Sequence, residues 1–322
     1  MRDLRGAGLS AYWSIKFFRH KTPVLGVLLN RKLPNRRYSK LIRIFLTLTI
    51  AIFFIFPPHL LAKPSNRHGT SATLPQVIKL QRFRKALWKV HVTVKGKEGD
   101  FLFDTGGGLT HLAEDFLKGI DCKFWGRNTG YNMFGQKGEG PHCDNVQITA
   151  GNVALTPANI GKIDFKGMFP GDKDPDGLLA LDAFDGKAIT IDQSAATITI
   201  ETDRSLKKRI GSMKEFPFRL ARECSGRCLS AFLGVNTPDG MTWLNLDTGA
   251  GGVSLISKEY ASSFGLDPNK KEQQLNFTLS PDVTIGGPVM VTDMIMDGNL
   301  GQPFLAQHVI TLDLRKGRMW IG

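Results

Sequence analysis

From Val77 onward the chain alternates short apolar runs with turn residues. Val90-His91-Val92-Thr93-Val94 sets apolar against polar positions with a period of two, and Ile189-Thr190-Ile191 and Val289-Met290-Val291 are shorter runs of the same character. Gly, Asp, Asn and Pro separate them, the signature of short strands joined by tight turns. The 35 glycines fit such a turn-rich chain. Sustained helical periodicity is lacking, and the only helical expectations are short stretches at 113–117 and 258–264. The pattern predicts a mainly β protein. The polar, Pro- and Ser-containing segment before it reads as a linker at 63–78.

An internal repeat organises the β region. Residues 176–201 align without a gap on 297–322 at a constant offset of 121. Asp176/Asp297, Gly177/Gly298, Leu179/Leu300, Ile189/Ile310, Thr190/Thr311 and Asp192/Asp313 are identical pairs. Upstream, 146–160 resembles 283–295, and Phe101-Leu102-Phe103-Asp104-Thr105-Gly106 matches Leu244-Asn245-Leu246-Asp247-Thr248-Gly249 at offset 143. The first copy is therefore 22 residues longer between its Asp-Thr-Gly and its closing segment. Two homologous lobes follow, 79–202 and 214–322, with a polar connector at 203–213.

An apolar strand entering Asp-Thr-Gly, followed later by an apolar-apolar-Gly-like segment (Leu178-Leu179-Ala180 and Asn299-Leu300-Gly301), resembles the lobe of a retropepsin-like or pepsin-like aspartic protease. The resemblance covers nearly all of 79–322, with lobes closer in size to a retroviral subunit. It implies an all-β, bilobal acid-protease fold: two homologous retropepsin-like β-barrel lobes with the active site at their interface. It assigns Asp104 and Asp247 as catalytic, with Thr105, Gly106, Thr248 and Gly249 forming the active-site loops and the threonines bonding across the interface. Two carboxyls within hydrogen-bond distance cannot both ionise, so they share a proton, one acting as base toward water and the other as acid. The reading is an aspartic endopeptidase acting on extended polypeptide, needing neither metal nor organic cofactor. The alternative is a catalytically silent peptide-binding or envelope scaffold protein of the same fold.

Several residues depart from the pattern. Gly107 follows the first motif where pepsin-like enzymes usually carry Ser or Thr, whereas Ala250 after the second is the usual retroviral choice; Ala180 stands where Gly is usual, and Asn299 puts a polar group at an apolar place. The extra length of the first lobe contains a candidate flap, 131–138, with Tyr131, Met133, Phe134 and Gly135 able to cover a peptide; a plain surface hairpin is the other reading. The glycine clusters lack the Lys-Ser/Thr of a phosphate loop. His111, near the first motif, reads as a packed histidine.

Charge and cysteines add the cellular setting. Of the net charge of +13, residues 1–62 hold +10, eleven Lys/Arg against Asp3, which leaves the body mildly basic and argues against a nucleic-acid partner. The uncharged run from Ile44 to Phe56 follows that basic head. It reads as a signal peptide ending near Ala62, or as an inner-membrane anchor from Ile44 to Leu61; a buried helix is the bland alternative. The body is then exported, periplasmic or extracellular, and a monomer is expected. Four cysteines fit an oxidising compartment, with 122–143 and 224–228 as the economical disulfides; a zinc site at Cys122, His142 and Cys143 lacks a fourth ligand.

Overall fold

The computed structural model describes residues 74–322. The basic head, the apolar run from Ile44 to Leu61 and the start of the linker lie outside the described residues. The described chain is mostly β, as the alternating pattern predicts, arranged in one 15-stranded and one 7-stranded sheet.

The same three-strand unit occurs twice. In the first half, strand Lys97–Phe103 runs parallel to Gly177–Leu179, which pairs antiparallel on its other side with His111–Ala113. In the second half, Gly240–Leu246 runs parallel to Gly298–Leu300, which pairs antiparallel with Ser254–Ser257. The strand from the closing segment is thus inserted beside the strand that carries the Asp-Thr-Gly. The repeated aspartates secure that insertion: the Asp176 carboxylate accepts from the Asp100 amide at 2.9 Å, and Asp297 accepts from the equivalent Trp243 amide at 2.7 Å.

The halves are not two separate barrels. Their closing strands, Ala188–Asp192 and Ile310–Asp313, pair antiparallel with each other in the register Thr190↔Thr311. These two threonines are equivalent in the repeat, and their hydroxyls lie 2.9 Å apart. A residue that meets its own counterpart marks a local twofold axis. The strands Gln76–Phe83, Thr197–Glu201, Arg318–Ile321 and Lys214–Phe216 extend this shared sheet on both sides.

The core is continuous across the halves. Phe101, Phe103 and Phe184 of the first half and Leu244, Leu300 and Phe304 of the second are fully buried in one apolar cluster. Two local expectations are corrected. Residues 114–119 form turns after a three-residue strand, and 258–264 holds only the 3-10 turn Ala261–Phe264. Each stretch has a glycine with positive φ at its end, Gly119 and Gly265, and each is too short to repay helix nucleation. One helix longer than a single turn is described, Asp203–Ile210 within the connector, started by a capping box between Thr202 and Ser205. Among the described residues no helix is long and apolar enough to cross a membrane.

Candidate active site

Each Asp-Thr-Gly begins where its apolar strand ends. The Asp104 amide donates to the Leu179 carbonyl at 3.0 Å, and the Asp247 amide to the Leu300 carbonyl at 2.9 Å. The chain then turns back so that each carboxylate accepts from its own loop: Gly106 N–H to Asp104 Oδ1 at 2.9 Å, and Gly249 N–H to Asp247 Oδ1 at 2.8 Å.

The two loops lock across the local axis through the threonines. The Thr105 hydroxyl donates to the Leu246 carbonyl at 2.7 Å and accepts from the Thr248 amide at 3.0 Å. The Thr248 hydroxyl donates to the Phe103 carbonyl at 3.0 Å and accepts from the Thr105 amide at 3.0 Å. Four reciprocal bonds among buried groups leave the loops little freedom, because each broken bond strands a buried donor or acceptor.

This lock brings Asp104 and Asp247 together. Their carboxyls are hydrogen-bonded to each other, and relative exposures of 1% and 0% place both out of bulk water. Glycine at 106 and 249 is a steric requirement of the approach. A Cβ at Gly106 would sit 2.4 Å from Asp247 Cγ, and one at Gly249 would sit 2.5 Å from Asp104 Cγ. Burial, then the facing Asp247 charge and the bond to it, push the Asp104 carboxyl well above the usual carboxylate range. Such a pair can hold one proton and offer one base and one acid at the same spot.

The departures noted in the sequence resolve into a size exchange. A Cβ at Gly107 would meet the Leu178 Cδ2 methyl at 2.8 Å, so a larger residue there would have to displace the end of that side chain. In the second half the small residue sits on the other side: a Cβ at Gly301 would lie 2.5 Å from the Ala250 carbonyl. Ala180 is fully buried without crowding, and its amide donates to the Thr110 hydroxyl at 3.2 Å. Asn299 is fully buried and donates its amide to Asp247 Oδ2 at 2.8 Å.

The candidate flap is a hairpin of Trp125–Tyr131 and Lys137–Asp144 that bridges to the other half. At its tip the Met133 carbonyl accepts from the Ile295 amide at 2.9 Å, and a Cβ at Gly135 would lie 3.0 Å from the Ile295 side chain. Met133 is buried at 3% exposure, Phe134 is half-buried, and Tyr131 points outward at 61%. Lower down, Arg227 donates to the Asn128 side chain at 3.2 Å, and Gly130 lies against Cys224.

Both disulfides form at the economical pairings, Cys122–Cys143 and Cys224–Cys228. The first removes the thiolates a zinc ion would need, which overturns the zinc alternative. It ties the segment before the hairpin to the hairpin's second strand; the second disulfide braces the loop on which the hairpin leans. His111 is packed, with Nδ1 at 2.6 Å from the Leu109 carbonyl, and burial pushes its imidazole down to about 4.

Three supporting elements carried no sequence signal of their own. Asp182 accepts from the Thr110 hydroxyl at 2.6 Å, and burial pushes its carboxyl up to about 7 despite that bond. The Gln302 side chain donates to the Thr248 carbonyl at 2.9 Å. Asn245 donates to Asn299 Oδ1 at 3.0 Å. The first-half counterparts of Asn245 and Asn299 are Leu102 and Leu178, and that contrast was the available clue.

No family model and no curated protein matches the sequence. Among solved structures the chain is similar to conglutin gamma, a basic 7S globulin from lupine seeds, with a TM-score of 0.51 and 9% identity over 77% of this chain and 94% of that one. It is likewise similar to the basic 7S globulin from soybean, with a TM-score of 0.50 and 11% identity over 77% and 94% of the two chains. Such identities bear on the fold alone. They correct the family expectation: the two structures named are basic 7S globulins and no family model matches, so the retropepsin-like or pepsin-like family assignment is not backed.

Proposed function

We propose that the chain hydrolyses peptide bonds in extended polypeptide, using Asp104 and Asp247 as one acid–base pair. The observation that carries this reading is the buried, mutually hydrogen-bonded carboxyl pair, held by four threonine bonds. In the reaction the ionised carboxylate takes a proton from a water molecule as its oxygen adds to the scissile carbonyl. The protonated partner gives its proton to the carbonyl oxygen, completing a neutral gem-diol. As the diol collapses and the C–N bond breaks, the carboxyl that took the water's proton passes it to the leaving nitrogen. A diol hydroxyl returns its proton to the other carboxylate, giving a carboxylic acid, an amine and the pair with one proton again. Substrate would lie under the 125–144 hairpin, whose tip must leave Ile295 to admit it. Export to an oxidising compartment, periplasmic or extracellular, is part of the proposal and is supported by the two disulfides.

A second reading is a peptide-binding or envelope scaffold protein without turnover. It is the reading the comparisons favour, because both solved structures are 7S globulins. The closed hairpin, with Met133 buried, also supports it. One experiment separates the two. Purified protein is incubated with a mixed peptide library from pH 3 to 7, with new termini read by mass spectrometry and retained intact peptides measured in parallel. New termini support hydrolysis. Retained peptides with no new terminus at any pH leave the binding reading and end the first.

A further inference from the structure

The two carboxyls of the pair sit in unequal surroundings. Asp104 accepts from the backbone amides of Gly106 and Gly107. Asp247 accepts from Gly249 at 2.8 Å and Ala250 at 3.1 Å, both on Oδ1, and has a further donor on Oδ2, the Asn299 amide at 2.8 Å. Asn299 Oδ1 accepts from Asn245 at 3.0 Å, so the Asn299 NH2 group faces Asp247, while Asn245 Oδ1 itself is buried without a hydrogen-bond partner. Asn245 and Asn299 are 3% and 0% exposed, so water does not compete for these bonds. The first half puts Leu102 and Leu178 at the equivalent places, both buried and unable to donate. An extra donor on a buried carboxyl favours its ionised form, and the carboxyl lacking one keeps the proton.

We propose that the Asn245–Asn299 pair breaks the symmetry of the dyad, holding Asp247 as the carboxylate and leaving the shared proton on Asp104. Asn299 is then a positioning residue for the base, and Asn245 its support. The assignment rests on the two carboxyls acting as one proton-sharing pair, as the hydrolytic reading requires. The titratable group facing Asp104 is Asp247, whose charge also drives Asp104 upward. Nearby Asp182 is engaged with Thr110, and His111 with the Leu109 carbonyl. Asp247 would therefore be the group that deprotonates water, and Asp104 the donor to the carbonyl oxygen.

The test is carbon-13 NMR of the full chain labelled at aspartate Cγ, with resonances assigned through Asp104→Asn and Asp247→Asn, titrated from pH 3 to 8. Three proteins are compared: wild type, Asn245→Leu, and Asn245→Leu/Asn299→Leu, which copies the Leu102/Leu178 pair of the first half. In wild type at pH 6, Asp247 should give a carboxylate shift and Asp104 a protonated one. The double variant should move the proton toward Asp247 by roughly tenfold, about one pH unit in its apparent midpoint. Asn245→Leu, which frees the amide but leaves it beside Asp247, should fall between. A wild-type proton on Asp247, or the same partition in wild type and the double variant, overturns the proposal. If the double variant does not fold, the wild-type spectrum and the Asn245→Leu shift still decide. The readout does not depend on turnover: asymmetric titration without peptide cleavage sinks the hydrolytic reading alone, and cleavage without asymmetry sinks this inference alone.

Discussion

The threonine lock makes a quantitative prediction. Replacing Thr248 by Val keeps the shape of the side chain and removes one hydroxyl. Two bonds go with it, the donation to the Phe103 carbonyl and the acceptance from the Thr105 amide, each 3.0 Å long. Both orphaned groups belong to the buried centre, where Thr248 itself is 2% exposed, so water cannot replace the lost partner. A stranded buried polar group costs about 1–3 kcal/mol, which puts the substitution near 4 kcal/mol. That is a large share of the ~5–15 kcal/mol by which a typical domain is stable. Thr105→Val breaks the mirror-image bonds to Leu246 and Thr248 and should lose a similar amount. Urea unfolding followed by tryptophan fluorescence would read the loss as a lower midpoint at unchanged slope. As a control, Thr237→Val, whose hydroxyl bonds the Gly240 carbonyl at the surface, should stay within about 0.5 kcal/mol. Losses below about 1 kcal/mol for both Thr105→Val and Thr248→Val would refute the lock as the device that holds the carboxyls together.

Other consequences follow from single contacts. Asp182, raised to about 7 by burial, binds its proton more tightly in the folded chain than in the unfolded one. Its contribution is therefore present below pH 4 and lost as pH rises toward 7, so Asp182→Asn should flatten the fall in stability across that window; an unchanged pH dependence of the urea midpoint would contradict it. Gly249→Ala places a Cβ 2.5 Å from Asp104 Cγ and should destabilise by more than about 3 kcal/mol, whereas Gly138→Ala, with open space around its Cβ, should be near neutral in the same assay. Ile295→Pro removes the amide that holds the hairpin tip, so Met133 should be oxidised by peroxide several-fold faster than in wild type, as peptide mapping would read. Equal rates would mean that this bond does not hold the hairpin shut.

Much of this arrangement was legible because the repeat states it twice. The repeat identified Thr105 with Thr248 at offset 143 and Thr190 with Thr311 at offset 121 before any geometry was known. That each pair meets across one axis is what an antiparallel pairing of equivalent strands produces. The shared sheet was harder to see, since a strand's apolar face does not say whether its partner belongs to the same half. The short helical expectations failed because each stretch ends at a glycine with positive φ, Gly119 and Gly265, and is too short to repay helix nucleation. The contact of Met133 with Ile295 left no local trace: it is a backbone bond between segments far apart in sequence. Asn299 was visible as an oddity, but its partner Asp247 is 52 residues away and could not be named without the fold.

The central claim is that Asp104 and Asp247 act as one unit on peptide. Its most direct test is the cleavage rate of a single library-derived peptide by wild type, Asp104→Asn, Asp247→Asn and the double variant, each first verified as folded. The account predicts that either single substitution lowers kcat by at least about a thousandfold and that the double variant is scarcely slower than either, because half a shared-proton pair is no pair. Substantial cleavage surviving in either single variant, or independent and multiplying losses in the double, would contradict it.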